Sequence, residues 1–271
     1  MATTDVVFAG AIPETYDRLL VPMLFEPFAA DLALRLAAAG PRKVLETAAG
    51  TGAVTRAIAA KLPEAEIVAT DLNEGMLHQA RSAHAWDGRV AWRQADALDL
   101  PFEDGAFDAV VCQFGVMFFP DRIRGYREAL RVLRPGGLFL FNAWDRISEN
   151  GFPATVAPAI AELFPHNPPD FMARVPHGYH DAGRIRADLQ EAGFDRVSIS
   201  TVTAISRAGS AEEVAVAFCQ GTPLRAEIEA RDPSGLPVAT AHAAEALRER
   251  FGDGPIEGQI QALVVAALQQ P

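Results

Sequence analysis

The chain has 271 residues and carries 24 Lys and Arg against 35 Asp and Glu, a formal net charge of −11. Hydrophobic residues make up 49% and charged residues 22%, a globular composition that excludes intrinsic disorder as the main state. The negative charge argues against a nucleic-acid partner, because phosphate binding leans on Lys and Arg. The length suits one large α/β domain with its own core, needing neither disulfides nor metal. Two cysteines, Cys112 and Cys219, lie far apart and offer no ligand spacing, so no metal is expected and Cys112 reads as a buried thiol. The amino terminus lacks a basic region followed by a long apolar one, and no run approaches the ~18 apolar residues of a membrane span. A cytoplasmic protein with no stable membrane insertion is the expectation.

In chain order, apolar residues over 13–38 recur at three- and four-residue steps. Helices broken at Pro22 and Pro27 are expected there, stopped by Gly40 and Pro41. Val44-Leu45 reads as a short strand ending in an acid. A glycine-bearing turn follows, then an Ala-rich helix from Ala53 to Leu62. Residues 66–72 read as a second strand, and 73–85 as a helix capped by Asn73, with Glu74 in its first turn. Residues 89–95 alternate as a third strand, and 96–106 form a polar loop around Leu98. The continuous apolar run 107–114 fits a parallel strand covered on both faces. A helix over 121–133, a turn at 134–137 (RPGG) and a strand over 138–144 complete the alternation. This β–α order predicts a doubly wound, mostly parallel sheet.

After Trp144 the rhythm changes. Residues 150–180 are rich in Pro, Phe and His, with one short helix near 154–164. A helix over 181–193 and a strand over 195–206 follow. Residues 210–250 read as two or three helices. Residues 258–268 suit a helix or a strand, and we take the strand because it would complete the sheet.

Three acids occupy matched places: Glu46 ends the first strand, Asp71 ends the second, and Asp96 follows the third, each 25 residues from the last. Strand carboxyl ends form the ligand crevice of such sheets, so the three acids should face one ligand. The turn Ala48-Ala49-Gly50-Thr51-Gly52 lets backbone approach it closely. A carboxylate at Asp71 suits a ribose diol, and Asp96 suits an exocyclic amine. Glu46 is placed to meet an amino or cationic group. An adenosine derivative is implied.

The segments VLETAAGTG (44–52), ATDLNEGML (69–77), QADALDLPFEDGAFDAVVCQFGVMFFPD (94–121) and LRVLRPGGLFLFNAW (130–144) together resemble the class I S-adenosylmethionine-dependent methyltransferases. The similarity is to the small-molecule branch that includes ubiquinone/menaquinone-biosynthesis C-methyltransferases. It covers residues 42–145 well and 181–206 loosely. The resemblance implies a Rossmann-like, seven-stranded α/β fold with helical lid insertions, and S-adenosylmethionine as methyl donor, leaving S-adenosylhomocysteine. It places Ala48, Gly50, Gly52 and Gln113 near the methionine part of the cofactor. It places Asp71 on the ribose, Leu72 and Met76 against the adenine, and Asp96, Ala97 and Leu98 around the adenine edge. Ala48 departs from the family's usual glycine. Tyr16 either folds over the cofactor or packs within a lid.

The expected layout is one domain over 1–271. It comprises an N-terminal helical lid (1–40), a cofactor-binding core (42–145), a lid-like insertion (146–180), and the rest of the core (181–271) with a helical insertion (207–256). Phe, Leu, Met and Pro in the lid segments suggest a small, apolar or amphipathic acceptor. A homo-oligomer stays open. The sequence singles out no catalytic residue. His78 and His84 read as solvated. His166, His177 and His180 read as ordinary loop histidines, one of which is a candidate base, and His242 has no evident partner. Phe114, Phe118 and Phe119 read first as core. Two alternatives stand beside this reading. Residues 50–55 give G-x-G-x-x-T, close to the dinucleotide fingerprint, with Asp71 where a ribose acid belongs, as in an NAD-dependent oxidoreductase. The other is a non-catalytic S-adenosylmethionine-binding protein.

Overall fold

A computed structural model describes Asp5, residues 12–84 and residues 88–270 of the chain. The strands are β1 (Lys43–Glu46), β2 (Glu66–Asp71), β3 (Val90–Gln94), β4 (Phe107–Gln113), β5 (Leu133–Trp144), β6 (Arg196–Ala208) and β7 (Ile256–Leu268). They form one sheet in the order β3-β2-β1-β4-β5-β7-β6. Neighbours from β3 to β5 pair in parallel, while β7 runs antiparallel to both β5 and β6. The strand at the end of the chain therefore does complete the sheet.

Alternate residues of a strand point to opposite faces, so the central strands feed two cores. Leu45, Val110, Cys112, Phe139 and Phe141 face one, and Val44, Ala109, Val111 and Leu140 face the other. This double burial is why β4 is apolar almost throughout. At the other extreme, β6 is an edge strand with most of its residues exposed or half-buried, and it is written in Ser, Thr and Arg.

The helices are α1 (Ile12–Thr15), a π-helix over Tyr16–Phe25, α2 (Glu26–Ala39), α3 (Ala53–Lys61), α4 (Glu74–His84), α5 (Arg122–Val132), α6 (Pro153–Leu163), α7 (Phe171–Arg174), α8 (Ala182–Ala192), α9 (Ala211–Gln220), α10 (Leu224–Arg231) and α11 (Leu236–Phe251). Their ends carry their own stop and start chemistry. Asp121, Asp181 and Ser210 cap α5, α8 and α9 by accepting from Arg124, Arg184 and Glu213 N–H. Asn73 stands at the expected start of α4, its carbonyl accepting from Met76 and Leu77 N–H.

Two expectations need correction. Pro22 and Pro27 do not break the N-terminal segment, which stays helical from Ile12 to Ala39. The winding widens instead: Pro22 lies inside the π-helix, which closes with a Glu26 N–H to Val21 carbonyl bond five residues back. Pro27 sits in the first turn of α2, directly after the π-helix. The 134–137 turn is not separate from the strand that follows. It is carried as a bulge within β5, whose partners jump from Phe107↔Leu133 to Ala109↔Leu138.

The segment after β5 folds as expected around α6, with the short α7 added, and the later region resolves into the three helices α9, α10 and α11. No helix among the described residues is long and apolar enough to cross a membrane. The expectations for residues 1–4 and 6–11 of the N-terminal lid, and for Ala85 at the end of α4, lie outside the described residues, as does the side chain of His84.

Candidate functional site

The sheet reverses its winding between β1 and β4, and the loops leaving the carboxyl ends of β1, β2, β3 and β4 meet there. The loop after β1 is pinned by Thr47 N–H to the Val111 carbonyl and Ala49 N–H to the Thr70 carbonyl, both 2.9 Å. The chain takes left-handed backbone at Ala48 (φ 52°), between these anchors, and at Gly50 (φ 57°) and Gly52 (φ 84°), after them. Gly52 is required twice over, since a Cβ there would also sit 2.8 Å from the Trp92 ring. Ala48 fits in place of glycine because a neighbour yields: a Cβ on Gly115 would lie 2.5 Å from the Ala48 methyl.

Asp71 organises the turn. One carboxylate oxygen accepts from Gly50 N–H and the other from Asn73 N–H, each at 2.8 Å. A carboxylate offers about four acceptor positions, more than these two N–H groups fill. Burial pushes the Asp71 carboxyl up, against the lowering effect of these N–H bonds.

Glu46 is 1% exposed and accepts from the Thr55 hydroxyl at 2.6 Å. Burial pushes its carboxyl up to about 8, opposed by the Thr55 bond and by Arg56. Asp96 is exposed and spends one oxygen on Leu98 N–H at 2.9 Å. Gln113 donates to the Phe25 carbonyl at 2.9 Å, while its Oε1 is buried with no partner among the described residues.

These groups line a cleft of about 1180 Å³. Ala48 and Gly50 form one wall, Asp71, Leu72 and Met76 a second, and Asp96, Ala97 and Leu98 the far end. Leu72 is half exposed, an apolar side chain held at the cleft without cover. Gln113, Phe114, Gly115, Phe118 and Phe119 close the near end. A narrower recess of about 300 Å³ runs beside it past Glu46, Ala48, Gly50 and Gln113.

The π-helix lies across both, and Tyr16 lines each of them. It is fastened at several points. Asp17 accepts from Gln79 of α4 at 3.1 Å and pairs with Arg56 of α3 at 3.7 Å. The Phe25 carbonyl takes the Gln113 bond, and the Met23 carbonyl accepts from Ser206 at 2.9 Å. Burial, then the charges of Asp71 and Asp17, hold the Tyr16 hydroxyl protonated far above the usual tyrosine range.

A second cavity of about 680 Å³ adjoins the cleft and shares Tyr16, Phe114 and Phe118 with it. Its walls are aromatic. Phe114 stacks on Trp144 with centroids 3.8 Å apart and planes 7° from parallel, and Phe25 tilts against both. The rest comes from segments distant in sequence: Leu20 and Leu24, Pro153, Phe171 and Met172, Phe218 and Pro223. His177 also lines it, 6% exposed, its Nδ1 2.8 Å from the Asp145 carbonyl. Burial pulls its imidazole down to about 4.

Against known proteins, a family model described as a methyltransferase domain matches residues 44–137. A demethylmenaquinone methyltransferase of Clavibacter sepedonicus is 34% identical over 171 residues, 60% of this chain and 69% of that protein. The chain belongs to the class I S-adenosylmethionine-dependent methyltransferases. The ubiquinone/menaquinone biosynthesis C-methyltransferase UbiE of Pseudomonas aeruginosa is 32% identical, over 59% of this chain and 68% of that one. Among solved structures, YcgJ of Bacillus subtilis has a TM-score of 0.58 at 19% identity, covering 90% of this chain and 99% of its own. The [4+2]-cyclase SpnF has 0.55 at 19% identity, covering 91% and 82%. These structural likenesses speak to the fold. The sequence relatives carry the family, and with it an enzyme that uses S-adenosylmethionine; the oxidoreductase alternative falls.

In this methyltransferase eleven of the twelve residues singled out from sequence line the cleft or the recess beside it. Gly52 does not line either and acts on the turn from behind, against Trp92. Residues not singled out also contribute. Asn73 supplies a backbone N–H to Asp71, and Gly115 makes room for Ala48. Phe114, Phe118 and Phe119 are wall as well as core, and their position just after the fourth strand was the available signal. Trp144 lines the aromatic cavity and stacks on Phe114, a pairing that sequence spacing does not reveal. His78 and His166 are exposed, and His242 bonds Glu162 at 3.1 Å. His180 Nδ1 lies 2.7 Å from the His177 carbonyl.

Proposed function

We propose that the cleft holds S-adenosylmethionine and the aromatic cavity holds a small, flat, apolar acceptor, of the quinone type named for the two relatives above. The observation that carries this is the shared wall: Tyr16, Phe114 and Phe118 border both spaces, so a donor in one and an acceptor in the other meet there.

The residues present fit the cofactor. The free acceptor positions of Asp71 suit the two ribose hydroxyls. The second oxygen of Asp96 suits the adenine amine, with Leu72, Met76, Ala97 and Leu98 against the ring. Ala48, Gly50 and Gly52 bring backbone close to the methionine portion. Glu46 and the orphaned Oε1 of Gln113 are the acceptors available to its ammonium, and Tyr16 covers it. When bound, the cofactor supplies an electrophilic methyl group on a sulfonium.

The chain's own work is alignment and exclusion of water. Fixing donor and acceptor in register contributes several kcal/mol, roughly 7–11 at best. The π-helix, residues 146–180 and residues 207–256 act as the lid over the acceptor, within a single domain. A small-molecule acceptor, no nucleic acid and a cytoplasmic setting complete the reading, with the net charge of −11 opposing a polyanion.

The test combines two measurements. S-adenosylhomocysteine is titrated calorimetrically into the wild type and Asp71→Ala, with NADH as control. Labelled methyl transfer is then followed to a panel of hydroxylated aromatic rings and to charged amino acids. Micromolar binding lost in the variant, with transfer confined to the aromatic rings, is expected. Transfer to charged acceptors alone would overturn the acceptor class.

A further inference from the structure

The aromatic cavity carries few polar side chains, and most have no capacity left. Asn150 donates to the Asp145 and Arg146 carbonyls and accepts from Gln261 N–H. Thr222 donates to the Phe218 carbonyl and accepts from Leu224 N–H. Tyr16 is held protonated and cannot take up a proton.

His177 differs. Its Nδ1 faces the Asp145 carbonyl at 2.8 Å, and a carbonyl can only accept. The proton therefore sits on Nδ1, and Nε2 presents its lone pair. Nothing among the described residues donates to Nε2. The carbonyl that sets the tautomer is itself fixed: Asn150 donates to it, and the Asp145 carboxylate is tied to Arg146 N–H and to Gln261 at 2.7 and 2.8 Å. The imidazole is thus a pre-aligned, neutral base on the wall of an otherwise apolar cavity.

We propose that His177 is the catalytic base of the methyltransferase and takes the hydroxyl proton of the acceptor on Nε2. This rests on the assignment of the aromatic cavity to the acceptor. The O–H bond breaks and its proton passes to Nε2. The electron pair left behind drives the oxygen, or a ring carbon conjugated with it, onto the methyl carbon; in the second case the ketone so formed then returns its ring C–H proton to the oxygen by tautomerisation. The carbon–sulfur bond breaks and its pair stays on sulfur as a neutral thioether. The positive charge lost from the sulfonium in the cleft reappears on the imidazolium in the adjoining cavity, so the two spaces together hold one positive charge before and after. This favours proton loss concerted with transfer over prior ionisation of the acceptor, because a phenolate formed alone would leave an additional charge pair in apolar surroundings.

The experiment has a binding arm and a kinetic arm. In the first, without cofactor, 2-naphthol and 2-methoxynaphthalene are titrated calorimetrically into the 271-residue chain. The wild type should bind the hydroxyl compound about tenfold more tightly, one hydrogen bond's worth of discrimination. His177→Phe and His177→Asn should bind the two equally, with S-adenosylhomocysteine affinity unchanged as the check on folding. In the second arm, single-turnover rates are measured over naphthols of increasing acidity. The wild type should depend weakly on acidity. The variants should lose about 10²–10⁴-fold on the least acidic acceptor and under threefold on one already ionised at the assay pH.

Equal wild-type affinity for naphthol and its ether, or equal variant losses across the acidity series, would overturn the assignment of His177. Wild-type protein that binds neither compound and methylates none of the series would instead overturn the acceptor cavity itself, and this inference with it.

Discussion

Gly115→Ala is the most informative single perturbation of the loop after β1, proposed above to meet the cofactor. Gly115 has ordinary right-handed backbone, φ −100° and ψ −35°, so alanine meets no conformational obstacle there. On backbone entropy alone the change would stabilise by about 0.4–1 kcal/mol. Sterically it is prohibitive: the new methyl would lie 2.5 Å from Ala48 Cβ and 2.7 Å from Cys112 Sγ. Carbon–carbon contacts settle near 3.5–4.0 Å, so one loop must move by about an ångström. Overpacking of this kind costs about 1–3 kcal/mol. The displaced segment includes the backbone beside Gly50 and Gln113, so S-adenosylhomocysteine affinity should fall with stability. Ala48→Gly removes the closer clash and relieves the positive φ of Ala48, a strain of about 1–2 kcal/mol. Alone it should be nearly neutral, because glycine returns about 0.5–1 kcal/mol in chain entropy. In the Gly115→Ala background it should recover about half of the lost stability and most of the affinity. The assays are urea midpoints and calorimetric titration on the four proteins of the cycle. Strict additivity of the two substitutions would refute the reasoning, since contacting residues must couple.

Three further outcomes follow from the same geometry. Asp71→Asn leaves one of the Gly50 and Asn73 N–H groups without its charged acceptor, so S-adenosylhomocysteine should bind about 10–100-fold more weakly by calorimetry. Glu46 has its folded carboxyl raised from an ordinary value of 4.5 to about 8, so the native state binds the extra proton between those values. Its contribution is fully present below about pH 4.5 and is lost as pH rises through about 8. Wild-type urea midpoints should therefore fall against Glu46→Gln between pH 5 and 9, and a flat difference would contradict the burial of an ionisable group. Asp181→Ala removes the cap of α8, away from both cavities, at about 1 kcal/mol. The melting temperature should drop by about 2–4 °C with cofactor affinity unchanged.

The parts of the molecule legible in sequence are those where local pattern and burial coincide. β4 is readable because both of its faces are covered, and α8 because Asp181 and Gly193 bracket it. The acids at strand ends were readable because one β–α unit separates each from the next, which turns spacing into position on one sheet edge. What was not readable depends on contacts across the chain. Pro22 signals a break, yet the π-helix passes it while tied to α3, α4, Gln113 and Ser206. His177 is one loop histidine among several until Asp145, 32 positions earlier, fixes its tautomer. The fit of Ala48 depends on the absence of a side chain at Gly115.

The sheet order also governs how the molecule assembles on the ribosome. β5 and β6 are both made well before β7, yet neither pairs with the other; each waits for β7 to enter between them. From Trp144 to Leu268 the ribosome adds about 120 residues, roughly 6–25 s of synthesis at 5–20 residues per second. Throughout that interval the apolar outer edge of β5 has no strand beside it, while the five-stranded part of the sheet from β3 to β5 already has all its members. The nascent chain thus carries a sticky edge from which the finished protein is free, and its polar β6 becomes the border only once β7 has closed the gap.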